Sequence, residues 1–510
     1  MRKQKSLRQP MSPSAMKKWA QSAPGRWFGL ALGLGGVATI SATAGALLAV
    51  SLSSTPLMQQ QLTPEEAAVF SRSEMARVNM RLPELTRPVN ILVLGIKVLT
   101  SDLEEPPEED LGYHALVDSF KGLSDTMLLV RFDPKNNKLK LLSIPRDTRT
   151  YVEGEGMSKI NNANYEGGPA LSAMATSELL GGVGIDRYVR VNVQGVEKLI
   201  DAIGGVKVYI PKDMEYVDES QHLYIKLKQG EQHLNGDQAL QFLRFRYDNL
   251  GDIGRVQRQQ MLMRAFVEQA LNVKTVARLP QLVSIIQSHI DTNLNLEELV
   301  ALVSFASKVK REEVDMLMVP GEFSEPGNYD ASYWLPDYNR LDALIAQHFD
   351  FGEETWEFEN IDPRDLRIAL QDSTDNWEAV DGMVEYLNDE GFWNVSISNP
   401  WGQPLKVTRI IAQDGDIEGA ESLKKMLGFG EIIVESTGSI RSDVTLQIGE
   451  DWLDQYGLQQ QFDSFDSEDS MEDWDEVDDD EFDSEDSMED WNEVKPNEFN
   501  SEERLLRLRS

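Results

Sequence analysis

The chain has 510 residues, no cysteine, and a formal net charge of −37 from 86 acids against 49 lysines and arginines. The missing cysteine excludes disulfides and thiolate metal sites. The five histidines, at 114, 222, 233, 289 and 348, form no zinc-spaced pair and sit in no nucleophile motif. So acidic a chain, with no broad basic face, argues against nucleic acid as a partner, and its length leaves room for two or three domains.

The charge is uneven. Residues 1–26 hold Arg2, Lys3, Lys5, Arg8, Lys17, Lys18 and Arg26, and no acid occurs before Glu65. Trp27–Val50 then runs twenty-four residues without a charge. As a helix it would span about 36 Å, enough to cross a bilayer. Its length favours an uncleaved anchor over a signal peptide, although Ala42 and Ala44 form a small-x-small pattern. The basic flank predicts a cytoplasmic N-terminus, with everything after it outside the cytoplasm.

Residues 51–87 read as a stalk. Val89–Gly95 is a buried-strand run, and Thr126–Phe132 and Leu139–Ile144 pair around a turn at 133–138. Pro169–Leu180 reads as a helix with a Gly-Gly entrance, Tyr188–Val193 as a strand, Val196–Ile203 as a helix and Val206–Ile210 as a strand. A short helix, Asp237–Leu243, leads to a long one in which Val256, Met263, Val267 and Ala270 recur at helical spacing. Further helices are predicted at 280–289, 295–309 and 339–349, with a strand at Met316–Val319. The alternation predicts an α/β sandwich, a mixed sheet flanked by helices, over 88–350. From 366 to 452 the pattern repeats on a smaller scale. Strand, helix and strand (Arg367–Gln371, Trp377–Asp389, Val395–Ser398) are followed by the same order (Val407–Ala412, Ile417–Leu427, Ile432–Glu435). This predicts a small split βαβ domain. Residues 453–510 form an acidic tail, predicted to be disordered, in which a seventeen-residue repeat brings back FDSEDSMEDW from Phe465 at Phe482.

The chemistry concentrates in polar motifs at strand ends and turns. They are Ser124-Asp125-Thr126, Pro145-Arg146-Asp147, Lys159-Ile160-Asn161 and the stretch RFRYDNLGDIGRVQRQQ at Arg244–Gln260. Arg244 and Arg246 are two apart, so an extended backbone would point both to one side. Asp252 is a candidate helix cap, with Arg255 in the first turn and Gln259 four residues on along the same face. Arginine grips phosphate oxygens two at a time. A pyrophosphate site needs such converging cations and a carboxylate for Mg²⁺, which Asp125 can supply. The plainer reading is a solvated charge run, in which the arginines pair with Asp248 and Asp252.

With SIPRDTR (143–149), KIN (159–161) and GVGIDRYVRVNVQGVEKLIDAIGGVKVYIPKDM (182–214) between SDT and the arginine stretch, residues 88–350 resemble the LytR–CpsA–Psr family. Residues 366–452 resemble the C-terminal domain some members carry, and the wording is most similar to the cyanobacterial branch. The resemblance implies a membrane-anchored enzyme of the cell envelope that takes a glycan from a polyprenyl-pyrophosphate carrier and attaches it to peptidoglycan through a phosphodiester. It implies that Arg146, Arg244, Arg246, Arg255 and Gln259 hold the pyrophosphate, with Lys159 as a further phosphate contact, and that Asp125 binds Mg²⁺.

One position departs from the family pattern. Two residues after Gly95, where members usually carry an aspartate, stands Lys97. It would contact phosphate itself or replace part of the charge balance, and Asp102 or Asp118 could serve as the missing carboxylate. Arg149 and Arg258 read as structural ion pairs or further contacts. Lys97 and the extra domain also suit a non-catalytic envelope protein that binds lipid pyrophosphate or peptidoglycan. A polyprenyl-pyrophosphate hydrolase is a variant of the first reading, and a transcriptional attenuator a third.

Overall fold

The computed structural model describes residues 61–71, 73–77, 83–97, 120, 122–219, 223–245, 251–270, 289–352, 363–413 and 415–457, with Lys97, Leu223, 251–253, Arg255 and Val256 as backbone only. Trp27–Val50 and the acidic tail from 458 on lie outside these residues, as do 280–288 of the helix expected at 280–289 and Asp102, Asp118 and Arg246. No described helix is long and apolar enough to cross a membrane.

A six-stranded mixed sheet forms the centre. Its strands are β1 (Val89–Lys97), β2 (Leu123–Asp133), β3 (Lys138–Ile144), β6 (Arg187–Asn192), β11 (Ile290–Thr292) and β12 (Val314–Met318). The spatial order is β11-β6-β1-β2-β3-β12. Strand β1 runs antiparallel to β2 and parallel to β6, and β3 runs antiparallel to β2 and parallel to β12. Strands β1, β3, β6 and β12 therefore all finish at the end of the sheet where β2 begins. In open α/β sheets this carboxyl end is where ligands bind.

Period-two alternation decides the layers. Leu92, Leu94 and Ile96 face one core with Met127, Leu129, Leu142 and Ile144. Helices α1 (Asn162–Leu179) and α6 (Tyr338–Phe349) cover that core through Ala163, Ala173, Leu341 and Phe349. Leu128, Val130, Leu139 and Leu141 face the other way, against Phe305 of α5 (Leu296–Ala306) and Met263 and Val267 of α4 (Gly251–Ala270). Each such fully buried Leu contributes about 1.5–3 kcal/mol. Helix α1 is two helices joined at a break. Gly168 takes φ 63°, and Pro169 restarts the coil. The expected helix from Pro169 is thus the second segment, and the first reaches back to Asn162.

A side layer of hairpins pairs β7 (Val206–Ile210) with β10 (Gly230–Leu234) and β8 (Met214–Asp218) with β9 (Leu223–Leu227). It packs with α2 (Val193–Ile203), α3 (Gly236–Arg244) and the Leu262/Ala265 face of α4. Helix α4 is therefore wedged between two cores, which is why its apolar residues do not gather on one stripe.

The C-terminal domain has a five-stranded sheet of β15 (Ile368–Asp372), β16 (Val395–Ile397), β17 (Arg409–Ala412), β18 (Glu431–Val434) and β19 (Val444–Ile448), in the order β16-β15-β19-β17-β18. Helices α7 (Trp377–Asp389) and α8 (Ile417–Leu427) make the two expected parallel crossovers. A further strand that the two-halves pattern does not predict, β19, inserts between them, parallel to β15 and antiparallel to β17. This domain covers the free edge of β12. Glu435 bridges Met316, and the Ser436 amide donates to the Met316 carbonyl at 2.9 Å. An exposed edge strand would otherwise invite pairing with another chain.

Candidate functional site

The site forms at the carboxyl end of the large sheet. Between β1 and β2 the register runs Gly95 opposite Thr126, then Ile96 opposite Ser124, so Asp125 is the extra residue of a β-bulge. Bulges re-aim side chains. A Cβ on Gly95 would lie 3.0 Å from Thr126 Cβ, so the glycine lets the two strands approach where the bulge begins. Lys97 is the last residue of β1 and pairs with Leu123, so its backbone borders the bulge.

Arg146 follows β3 in a tight turn. The Thr148 amide and hydroxyl both donate to the Pro145 carbonyl, at 3.0 and 2.6 Å. The KIN segment closes on both neighbours. The Asn161 amide donates to the Arg146 carbonyl at 3.2 Å, the Ile160 amide to the Thr148 carbonyl at 2.9 Å, and the Ser124 amide to the Asn161 carbonyl at 3.3 Å. Three motifs far apart in the chain thus share one backbone network.

The side chains follow. Arg146 Nη1 donates to Asp125 Oδ1 at 2.8 Å, and its Nε to Asp147 Oδ2 at 3.3 Å. Lys159 Nζ donates to Asp147 Oδ1 at 2.7 Å. All four side chains are part-buried and reach the surface. Burial alone would lower the Arg146 pKa, but Asp125 and Asp147 outweigh it and hold the guanidinium above its usual value. Asp147, which the sequence motif places beside Arg146 without marking it as a contact, holds both cations. Asn161 is buried, and its Oδ1 meets no hydrogen-bond partner among the described residues.

The arginine stretch is built differently from the sequence expectation. Arg244 ends helix α3, and Phe245 caps it in extended geometry, so no extended backbone runs through Arg244. A helix C-terminus favours a cation there. Asp252 lies inside α4 rather than ahead of it, and Arg255 is its fifth residue. Gln259 shares the Arg255 face as expected and is half-buried. Arg258 is buried, donates to the Phe245 carbonyl at 2.6 Å and lies over the Phe245 ring at 5.8 Å. It ties α4 to the residue that follows Arg244. The structure thus brings Asp125, Arg146 and Lys159 together in one cluster and places Arg244 and Gln259 on the α3–α4 pair.

Arg149 makes no ion pair with a described residue. Its guanidinium stacks on Tyr329 and Tyr333, at 5.2 and 5.9 Å from the ring centroids.

A bulged strand start and a strand-end arginine thus meet at the carboxyl end of a mixed sheet flanked by helices, the architecture of an α/β sandwich. Residues 57–350, over half of the chain, match the LytR_cpsA_psr family, and the chain belongs to that family. Residues 365–452 match the domain described as LytR cell envelope-related transcriptional attenuator. The chain is 33% identical over 245 residues to the polyisoprenyl-teichoic acid–peptidoglycan teichoic acid transferase TagV of Bacillus subtilis (strain 168); the match covers 46% of this chain and 62% of that protein, under two thirds of its length. It is 32% identical over 259 residues to the transferase TagU of Bacillus cereus (strain ATCC 14579), covering 50% of this chain and 77% of that protein. Among solved structures, the crystal structure of B. subtilis TagV shares 28% identity at a TM-score of 0.42, covering 52% of this chain and 99% of that one.

Proposed function

We propose that this protein is a cell-envelope phosphotransferase. It moves a glycopolymer from a polyprenyl-pyrophosphate carrier to peptidoglycan through a phosphodiester, as the names of its relatives describe for teichoic acid. The observation that carries the reading is the single network joining Asp125, Arg146, Asp147 and Lys159 at the carboxyl end of the sheet.

Phosphoryl transfer asks a protein mainly for positioning and charge neutralisation. Arg146, fixed between two carboxylates, presents its remaining donors to the pyrophosphate, and Lys159 adds a compact charge. Arg244 and Gln259 would close on the phosphates from the α3–α4 side, with Arg246 and Arg255 as the further contacts the family resemblance implies. A hydroxyl of the acceptor sugar attacks the sugar-linked phosphorus. A new P–O bond forms there, the bond to the bridging oxygen breaks, polyprenyl phosphate leaves, and the hydroxyl proton passes to a carboxylate. The cations stabilise the charge that grows on the leaving oxygen.

Mg²⁺ fits this donor set. The ion commonly takes one or two carboxylates and completes its shell with water and substrate phosphates. Asp125 offers that carboxylate, while no group of three acidic or histidine side chains gathers among the described residues. When bound, the ion would neutralise phosphate charge beside Asp125. Lys97, next to the bulge, supplies a cation where the family places a second carboxylate.

The donor resides in a membrane, so the uncharged stretch Trp27–Val50 is read as a single-pass anchor, with the folded part outside the cytoplasm. To test the function, the full chain in detergent is incubated with a polyprenyl-pyrophosphate oligosaccharide, peptidoglycan fragments and Mg²⁺. Glycan coupled to the fragment is expected. Release of polyprenyl phosphate without coupling would make the protein a hydrolase, and tight binding without product would make it a carrier.

A further inference from the structure

The hairpin of β4 (Arg149–Val152) and β5 (Gly156–Lys159) leads outward from the PRD turn. Its register sets Arg149 opposite Lys159 and Tyr151 opposite Met157. Residues two apart share a face, so one face carries two cations at its inner end and two apolar side chains at its outer end. Tyr151 is 51% exposed and Met157 48%.

A second hairpin, β13 (Gly321–Phe323) and β14 (Trp334–Pro336), lies alongside. Thr148 bridges Trp334, and the Trp334 amide donates to the Asp147 carbonyl at 2.9 Å. Its loop delivers Tyr329, 39% exposed, edge-on to buried Tyr333 at 5.5 Å. Arg149 stacks on both rings, and Lys159 Nζ lies 5.7 Å from the Tyr333 centroid.

Two features need an explanation. Like charges directly opposite on paired strands are destabilising, yet Arg149 faces Lys159. And Asp147, the carboxylate that holds Lys159, is already shared with Arg146, while Asp330 accepts from the Tyr333 hydroxyl at 3.2 Å. Two cations therefore share Asp147, and the guanidinium of Arg149 is held by aromatic rings rather than by an acid. An anion would settle both features. The exposed rings beside it suit the apolar C–H face of a pyranose.

We propose that Arg149, Tyr151, Tyr329 and Tyr333 form a subsite for the donor's glycan, binding the pyrophosphate-proximal sugars and an anionic substituent on them. The inference rests on the pyrophosphate reading of the neighbouring cluster. Continuity favours the donor. Lys159 touches both the Asp147 carboxylate and the Tyr333 ring, so a sugar bonded to a phosphate held at Arg146 enters the strip directly.

The test uses the full chain in detergent and two probes, a short prenyl pyrophosphate and the same lipid carrying an anionic disaccharide, with binding followed by calorimetry. Wild type is expected to bind the sugar-bearing probe about tenfold more tightly. Arg149→Gln and Tyr329→Ala each remove most of that gain and leave the bare probe's affinity unchanged, whereas Tyr329→Phe retains it. Arg146→Ala weakens both probes. Equal affinity of wild type for the two probes overturns the glycan subsite while leaving the pyrophosphate reading in place. Failure of wild type to bind either probe overturns that reading and this inference with it. Capture of soluble peptidoglycan glycan by the strip, lost in the same variants, would assign it to the acceptor and overturn the donor assignment.

Discussion

Arg146 Nη1 stands 2.8 Å from Asp125 Oδ1, joining the end of one strand to the bulged start of its neighbour. The contact fixes a guanidinium that would otherwise be a mobile surface charge. Removing it strips a preformed donor from the phosphates. Arg146→Ala is expected to lower kcat/KM by about 10²–10³, the usual loss for one preorganised donor, with little change in melting temperature because the pair is partly solvated. Arg146→Lys restores charge but not the fork, and should recover only part of the rate.

Gly95 sets the bulge that aims Asp125. Alanine there puts a Cβ 3.0 Å from Thr126 Cβ, so the strands must part slightly. Gly95→Ala is expected to cost about 1–3 kcal/mol in denaturant unfolding and to lower turnover well beyond a variant of equal stability loss remote from the site. Equal turnover in two such variants would show that the bulge does not aim Asp125.

Arg190 and Asp291 form a buried pair that ties β6 to β11, at 2.6 and 2.9 Å, with both side chains almost fully enclosed. Arg190→Met removes the cation that faces a buried carboxylate and is expected to cost about 3–5 kcal/mol. The double variant Arg190→Met/Asp291→Leu should recover much of that loss, which a double-mutant cycle on chemical unfolding measures.

The seam between the two domains responds to acid. Asp443 accepts from Arg367 Nη2 at 2.5 Å and from Arg340 Nη2 of α6 at 3.1 Å. Burial alone would raise the Asp443 pKa, but Arg367 and Arg340 outweigh it and hold the carboxyl below its ordinary value. A carboxylate depressed in the folded state stabilises it above the unfolded pKa, and that contribution fades as pH falls through the folded one. Wild type should therefore lose stability progressively below about pH 4. Asp443→Asn should be less stable at pH 7 and show a shallower acid limb in thermal melts.

Much of this was legible in the sequence. The strand runs from Val89 and Thr126 and the helix at Trp377–Asp389 carried clear periodicity and end signals. Asp125, Arg146 and Lys159 stood in motifs at strand ends, where the chain must turn. Strand β19 is hard to read although Val444, Leu446 and Ile448 alternate and are fully buried, because it lies outside the two strand–helix–strand units and only the short helix at 450–457 follows it. The bulge at Asp125 was not legible, since a one-residue register shift leaves no mark on a strand's composition. Arg244 was misjudged because RFR reads as an extended triplet, while the Asn235 capping box upstream carries the helix to Arg244 itself. Arg149 looked like one half of an ion pair; its partners, Tyr329 and Tyr333, come from a hairpin nearly two hundred residues away.

The most direct test of phosphotransfer at the Arg146–Asp125 cluster follows a single phosphorus atom. A polyprenyl-pyrophosphate oligosaccharide labelled with ³²P only at the sugar-linked phosphate is incubated with the full chain, peptidoglycan and Mg²⁺. The label is expected in the peptidoglycan, released on hydrolysis as a sugar phosphodiester, and absent with Arg146→Ala. Label that remains on the lipid as pyrophosphate while glycan reaches peptidoglycan would mean glycosyl transfer, and would contradict the account.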